Sequence, residues 1–271
     1  MLLSKLFILL VLAALIVTAV RFLLVPGIEK LSLALNLGSK TRGKILGYAT
    51  STPELVIVIA AAAAGVFDAG FWNIASSNII NWVLFLSAVF FYRQHRDLKQ
   101  KTFLDELSFG VISVLLPLAL YALNVQGADI LGAGLLVFFI FYKALDRKLN
   151  KKVSEAPAEE CPEKRKKLSP SILALVSGVV VIIIAGWFLG GITEDLVLEL
   201  GVSAWMIGWI LGFVSSLPEM SGFFEVYRKH KVNGTLDGIE DTQEALDTLV
   251  ASNMSNLGII LPIGVFIAAC S

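Results

Sequence analysis

Apolar runs of about twenty residues recur along the chain, separated by short polar breaks, and each run is long enough to span a hydrocarbon core of ~30 Å. The run LFILLVLAALIVTAV at residues 6–20 shows no alternation of apolar and polar positions, which argues for helices and against a membrane β-barrel. The pattern predicts helices over 3–25 (with a polar-interrupted extension to 36), 43–65, 69–92, 105–123 and 128–146. A charged, proline-containing stretch over 147–170 then breaks it and is expected to be a linker, DRKLNKKVSEAPAEECPEKRKKLSP being the sequence around it. Three more helices follow, over 171–190, 203–227 and 244–269. The expected fold is therefore an all-α, polytopic membrane protein of about eight spans arranged as 5+3, with halves 1–146 and 171–271.

Lys and Arg fall on one side of this layout. With the linker inside, the loops carrying Lys30, Lys40, Arg42 and Lys44, then Arg93, Arg96, Lys99 and Lys101, then Arg228, Lys229 and Lys231 are also inside. The opposite loops, GVFDAG, NVQGAD and GGITEDLVLELG, contain acids and no Lys or Arg. The positive-inside rule then places the N-terminus outside and the linker in the cytoplasm. A compact chain with a short loop fits a prokaryotic inner membrane. The first helix lacks a strongly basic start and an A-x-A-like cleavage site and is expected to be retained.

Two of the apolar runs contain a proline followed by a glutamate: ATSTPELVIV at 49–58 and FVSSLPEMSGFF at 213–224. Each is followed by a second shared pattern, NIASSNIIN at 73–81 and TLVASNMSN at 248–256. The common element is [ST]-S-x-P-E, a spacer, then S-N-x-x-N. The two copies lie on helices that run in opposite directions, which makes an inverted-topology repeat over about 43–92 and 203–269. Such repeats place a substrate site at their interface near the bilayer midplane.

The spacing gathers oxygens. Thr50 and Glu54 share a helix face, as do Ser51 and Glu54, Ser215 and Glu219, Ser216 and Glu219, Ser77 and Asn81, and Ser252 and Asn256. Pro53 and Pro218 have no N–H, so the carbonyls of Ala49 and Val214 are expected to lose their helical donors. A cation is one partner that a freed carbonyl could find at membrane depth. Oxygen-only donors suit hard cations, and the two glutamates match one Ca2+ or two Na+ in charge. No His or Cys lies in either motif, which argues against a soft-metal site.

These motifs resemble the α-repeats of the cation/Ca2+ exchanger superfamily, in particular its Na+/Ca2+ exchanger branch, where G-T-S-x-P-E is followed by G-S-N-x-x-N or -D. The resemblance implies alternating-access antiport with Na+ driving the movement of Ca2+ or a related cation. It also implies a ligand set of Thr50, Ser51, Glu54, Ser77, Asn81, Ser215, Ser216, Glu219, Ser252 and Asn256. The sequence departs from the family at several points. Ala49, Val214, Ser76 and Ala251 replace its glycines, Thr248 replaces an Asn, and Asn256 stands where many relatives carry Asp. Relatives also have two further helices, so a shortened variant, a truncated product and a partner that supplies the pair all stay open.

Composition adds limits. The chain is 56% hydrophobic and 16% charged with formal net charge zero, and its mean hydropathy is +0.79. The charge balance gives no support to a nucleic-acid partner. Cys161 and Cys270 have no metal-ligand spacing, and His95 and His230 fall in expected cytoplasmic loops. No enzyme motif is present, and no cofactor is expected beyond Na+ and Ca2+ as transported ions. The acids of DGIEDTQEALD, from Asp237 to Asp247, are expected in a solvated loop leading into the last helix. Asn78 and Asn253, one step off the Ser77–Asn81 face, are expected to be structural. Trp72, Trp82, Trp187, Trp205 and Trp209 are expected to be interfacial anchors. Besides Na+-coupled exchange, two functions stay open: H+-coupled cation antiport, and a non-transporting scaffold or regulatory subunit in the lipid bilayer.

Overall fold

The computed structural model describes residues 2–24, 26, 27, 30, 39–125, 129–149, 169–232, 234, 236 and 239–270. The described residues contain helices and turns and no strand. In chain order the helices are α1 (Leu2–Ala19, continued by a π turn Val20–Leu24), α2 (Ser39–Thr50), α3 (Thr52–Ala63), α4 (Phe67–Phe91), α5 (Leu104–Ala122) and α6 (Asp129–Leu149). The second half has α7 (Ser169–Glu194, continued by a π turn Asp195–Glu199), α8 (Ala204–Ser215), α9 (Leu217–Val232), α10 (Glu240–Ser255), a π turn Asn256–Ile260 and α11 (Leu261–Cys270).

Five helical stretches are long and apolar enough to cross a membrane: Leu2–Leu24, Phe67–Phe91, Lys101–Ala122, Val176–Glu199 and Glu240–Cys270. Large apolar side chains point outward on the outer helices, among them Phe7, Ile130, Ile140, Ile183 and Trp187. A band of that kind faces lipid rather than water. The chain is a polytopic all-α membrane protein, as the apolar pattern predicts.

The second and seventh predicted helices are each two helices. The breaks fall at Ser51 and Ser216, two residues before Pro53 and Pro218. Proline is comfortable in the first turn of a helix and disruptive inside one, so the chain restarts a helix just ahead of each proline. The last predicted helix starts earlier than expected, at Glu240, and is interrupted by the π turn at Asn256.

Most of α10 is buried, and α4 is buried along the face carrying Asn73, Ser77 and Asn81. These two helices are the inner members of the bundle. Helix α4 packs on α8, and α10 packs on α2, so each inner helix meets the first half of the opposite repeat's broken helix. Glycines allow this approach. A Cβ on Gly47 of α2 would lie 2.4 Å from the Thr248 carbonyl oxygen, and one on Gly212 of α8 would lie 2.0 Å from Ser76 Oγ. Backbones that close are what small residues provide in membrane bundles. Helices α1 and α7 pack together outside this core, where Leu9, Ile16, Ile182 and Leu189 are buried.

Three sequence expectations are corrected. The acids ahead of the last helix are not a solvated loop: Asp241, Glu244 and Asp247 lie within α10 and are buried. Asp241 Oδ1 accepts from the Thr242 N–H at 2.6 Å, and Asp247 Oδ2 accepts from Gln243 Nε2 at 2.8 Å. Glu240 and Asp241 occupy the first turn of α10, where a helix N-terminus favours acids, and Gln243 sits one turn before Asp247 and donates to it; Asp237 lies outside the described residues. His230 belongs to α9 rather than a loop, 3.8 Å from Glu244. Trp72 and Trp82 are packed rather than anchoring at an interface. Trp82 Nε1 donates to the Gly110 carbonyl at 2.9 Å, and Trp72 sits edge-on to Tyr121. Trp187, Trp205 and Trp209 are exposed. Residues 150–168 of the expected linker lie outside the described residues.

Candidate functional site

The breaks before Pro53 and Pro218 set the two glutamates. Each proline starts a helix whose next residue is the glutamate, so Glu54 and Glu219 occupy first turns. The exposed N–H groups of a helix start favour negative charge there. Both side chains are 0% exposed. Among the described residues, neither takes part in an ion pair. That rules out snorkelling to an interface as the reason for these acids.

The structure gathers the predicted residues about the crossing of α4 and α10 with the two breaks. Ser51 Oγ lies 2.9 Å from Ser252 Oγ, and Ser252 Oγ is 3.2 Å from Glu219 Oε1. Ser51 and Thr50 also donate to the Gly47 carbonyl, at 2.9 and 3.2 Å. In the other repeat Ser215 Oγ donates to the Gly212 carbonyl and to Asn73 Oδ1, both at 3.3 Å. Ser77 Oγ donates to the Ile74 carbonyl at 3.1 Å. All ten predicted site residues are buried.

Four asparagines join the repeats in reciprocal pairs. Asn81 Nδ2 donates to Asn253 Oδ1 at 3.0 Å, and Asn256 Nδ2 donates to Asn78 Oδ1 at 2.9 Å. Asn81 Nδ2 also reaches Ser252 Oγ at 3.5 Å, while Asn256 Nδ2 reaches Ser77 Oγ at 3.3 Å. Asn253 Nδ2 donates to the Asn78 carbonyl at 3.1 Å, and Asn78 Nδ2 donates to the Asn253 carbonyl at 3.4 Å. Each bond in one direction thus has its counterpart in the other. Because the amide nitrogens of Asn81 and Asn256 are used as donors, their oxygens are left over.

Those oxygens are part of a larger set. Glu54 Oε1 and Oε2, Glu219 Oε2, Asn81 Oδ1, Asn256 Oδ1 and Ser216 Oγ are buried without a hydrogen-bond partner. Buried polar atoms normally find partners, and leaving one orphaned costs about 1–3 kcal/mol. All six come from the two repeats; the amide nitrogen of Asn73, whose oxygen accepts from Ser215, is also buried without a partner. Six oxygens, with two carboxylates among their groups, are chemically suited to a hard cation. The freed carbonyl of Ala49 does not contribute as expected: it accepts from Thr52 Oγ1 at 2.8 Å.

The sequence reading missed Gly47 and Gly212, while Asn78 and Asn253 are structural as expected, their side chains joining the two repeats through interhelical hydrogen bonds. The glycines were findable, since each stands three residues before the hydroxyl residue that opens its motif, Thr50 or Ser215. Asn73 was not among the expected ligands, yet it is the acceptor for Ser215.

The model of the family described as sodium/calcium exchanger protein matches residues 5–145 and 170–271. Among solved structures, the fold is similar to that of the sodium-calcium exchanger NCX_Mj. In the form soaked with 2.5 mM Na+ and 10 mM Sr2+, the identity is 20%, the TM-score 0.54, and the match covers 98% of this chain and 83% of that one. In the form soaked with 10 mM Na+ and no Ca2+, the TM-score is 0.55, with 20% identity and 98% and 84% covered. Among curated proteins, no sequence matches the chain.

Proposed function

Because the chain belongs to the sodium/calcium exchanger family, we propose that it is a secondary antiporter in which Na+ influx drives export of Ca2+ or a related cation by alternating access. The family is one of cation exchangers rather than an enzyme class, and the protein is an integral, multi-pass membrane protein. The observation that carries the ion reading is the set of orphaned buried oxygens centred on Glu54 and Glu219. Two carboxylates held at 0% exposure inside a membrane bundle are very unfavourable unless a cation or protons neutralise them.

In this reading Glu54 and Glu219 are the charged ligands. Asn81, Asn256 and Ser216 add neutral oxygens, and the Ser51–Ser252 pair sits between the two halves of the site. Thr50, Ser77 and Ser215 hold the surrounding backbone through bonds to carbonyls one turn back. Transport requires no cofactor, the N-terminus faces outward and the linker is cytoplasmic. NCX_Mj structures soaked with Na+ and Sr2+ share the fold, which supports the reading.

The test is uptake of radioactive Ca2+ by liposomes loaded with Na+, diluted into Na+-free medium, with Glu54→Gln in parallel. Uptake that needs the Na+ gradient and is lost in the variant is the expected result. Uptake driven by a pH gradient instead moves the coupling to H+. No uptake from folded protein under any gradient overturns the transport reading.

A further inference from the structure

We infer that Asn73 is a positioning residue of the first repeat: its amide sets which way the Ser215 hydroxyl points, and the second repeat has no equivalent device. The inference rests on the antiport reading above and adds to it a residue that acts through Ser215.

Asn73 is buried on α4, four residues before Ser77. Its Oδ1 accepts from Ser215 Oγ across the α4–α8 crossing at 3.3 Å, while its Nδ2 is buried without a partner. The backbone around it is held. Ser76 Oγ bonds the Asn73 carbonyl and the Gly208 carbonyl of α8, both at 3.2 Å. A Cβ on Gly212 would lie 2.9 Å from the Asn73 carbonyl oxygen, so the two helices already touch. With its nitrogen unpartnered, the side-chain amide is held by Ser215 and is able to turn.

A hydroxyl has one hydrogen and two lone pairs. Ser215 stands beside Glu54. With its hydrogen shared between Asn73 Oδ1 and the Gly212 carbonyl, both at 3.3 Å, it offers lone pairs to a cation held by that glutamate. Turned over, the amide donates from Nδ2 to Ser215 Oγ instead and releases the hydroxyl hydrogen for the empty carboxylate. An amide carries both a donor and an acceptor and serves either arrangement. An orphaned buried donor is costly, and this swivel gives the cost a use.

The mirror position is Thr248, which stands four residues before Ser252 as Asn73 stands four before Ser77. Thr50 is beside Glu219 as Ser215 is beside Glu54. Thr248 Oγ1, however, donates to the Glu244 carbonyl at 2.8 Å, and Thr50 Oγ1 donates to the Gly47 carbonyl at 3.2 Å. Each is served within its own helix. The two glutamates therefore have unequal surroundings inside a symmetric repeat.

The test measures Ca2+ affinity by equilibrium dialysis and thermal unfolding on the full chain in detergent. The variants are Asn73→Leu, Asn73→Thr, Thr248→Val, Ser215→Ala and the double variant Asn73→Leu with Ser215→Ala. Leucine is close to asparagine in shape and removes the orphaned donor, so a packing role alone leaves affinity unmoved. Both Asn73 variants should bind Ca2+ about five- to tenfold more weakly while melting within a few degrees of the parent. Thr248→Val should stay within about twofold, and the double variant should bind no more weakly than Ser215→Ala, because residues acting as one unit do not add. Unchanged affinity in the Asn73 variants, an equal loss at Thr248, or losses that add in the double variant overturns the positioning role and leaves antiport standing. A large fall in Tm in both Asn73 variants makes Asn73 a packing residue and overturns it as well. Absence of Ca2+ binding to parent protein that is folded by circular dichroism overturns both readings.

Discussion

Replacing Gly47 with alanine tests the closest approach between the repeats. The new Cβ would lie 2.4 Å from the Thr248 carbonyl oxygen, 2.9 Å from Ala251 Cβ and 3.0 Å from the Ser252 nitrogen. All three atoms belong to α10, and two are backbone, so no side-chain rotation relieves the clash. Ordinary contact begins near 3.4 Å, so α2 and α10 must part by about 1 Å, an overpacking that costs about 1–3 kcal/mol. Alanine returns up to ~1 kcal/mol through its better helix propensity. The net loss is therefore about 1–2 kcal/mol, or roughly 2–4 °C in Tm per kcal/mol for a chain near this size.

The same displacement stretches the Ser51–Ser252 contact from 2.9 Å to about 3.9 Å, outside hydrogen-bond range. A bond of about 1 kcal/mol lost inside the site corresponds to roughly a five- to tenfold fall in exchange rate if it steadies the ion-bound form. Gly134→Ala is the control, because nothing lies within 4 Å of its Cβ position. Thermal unfolding of purified protein and Na+-driven Ca2+ uptake are measured for both variants. If Gly47→Ala melts with Gly134→Ala and transports like the parent, the close crossing of α2 on α10 is wrong, and with it the packing account of the site.

Three further outcomes follow from named contacts. Asn78→Ala removes the acceptor for Asn256 and the donor to the Ser113 and Asn253 carbonyls; it should lower stability by about 1–3 kcal/mol, read as a fall in Tm larger than that of Asn81→Ala. Lys5→Ala breaks a bridge to Asp195 and Glu199, both at 2.8 Å; because those groups are solvated the Tm should move little and the change should shrink further in high salt, and a large or salt-insensitive fall would contradict this. Glu219→Gln should abolish Ca2+ binding while Tm stays within a few degrees or rises, since a buried carboxylate is replaced by a neutral amide; retained Ca2+ affinity, read by equilibrium dialysis, would remove Glu219 from the site.

The apolar pattern, the proline-glutamate motifs and their repetition were enough to read the fold, because lipid imposes length and apolarity on every span. The same pattern could not show that two spans are broken, since hydropathy is blind to a single turn. Proline marked the places, yet the consequence differed from the expectation at Ala49. Its carbonyl, stripped of a helical donor by Pro53, is served by Thr52, the residue immediately before the proline. A hydroxyl in that position can act locally, and composition alone does not reveal which partner wins. Acids near the start of α10 were misread for a related reason. Charge usually means solvent, but Asp241 and Asp247 meet donors on their own helix once it forms.

The asparagines carry the sharper lesson about symmetry. On one helix, Asn78 stands off the face shared by Ser77 and Asn81, which makes it look peripheral to a site defined on that helix. The site, however, is defined by two helices crossing in opposite senses. Asn78 on α4 serves Asn256 on α10, and Asn253 on α10 serves Asn81 on α4. A residue off the face of its own repeat is therefore at the centre of the joint between repeats. The repeated S-N-x-x-N held that information in its spacing: the first Asn of each copy receives the last Asn of the other. Because each lock bond consumes an amide N–H and turns an amide oxygen inward, the joint that holds the halves together also sets which neutral oxygens the glutamates share.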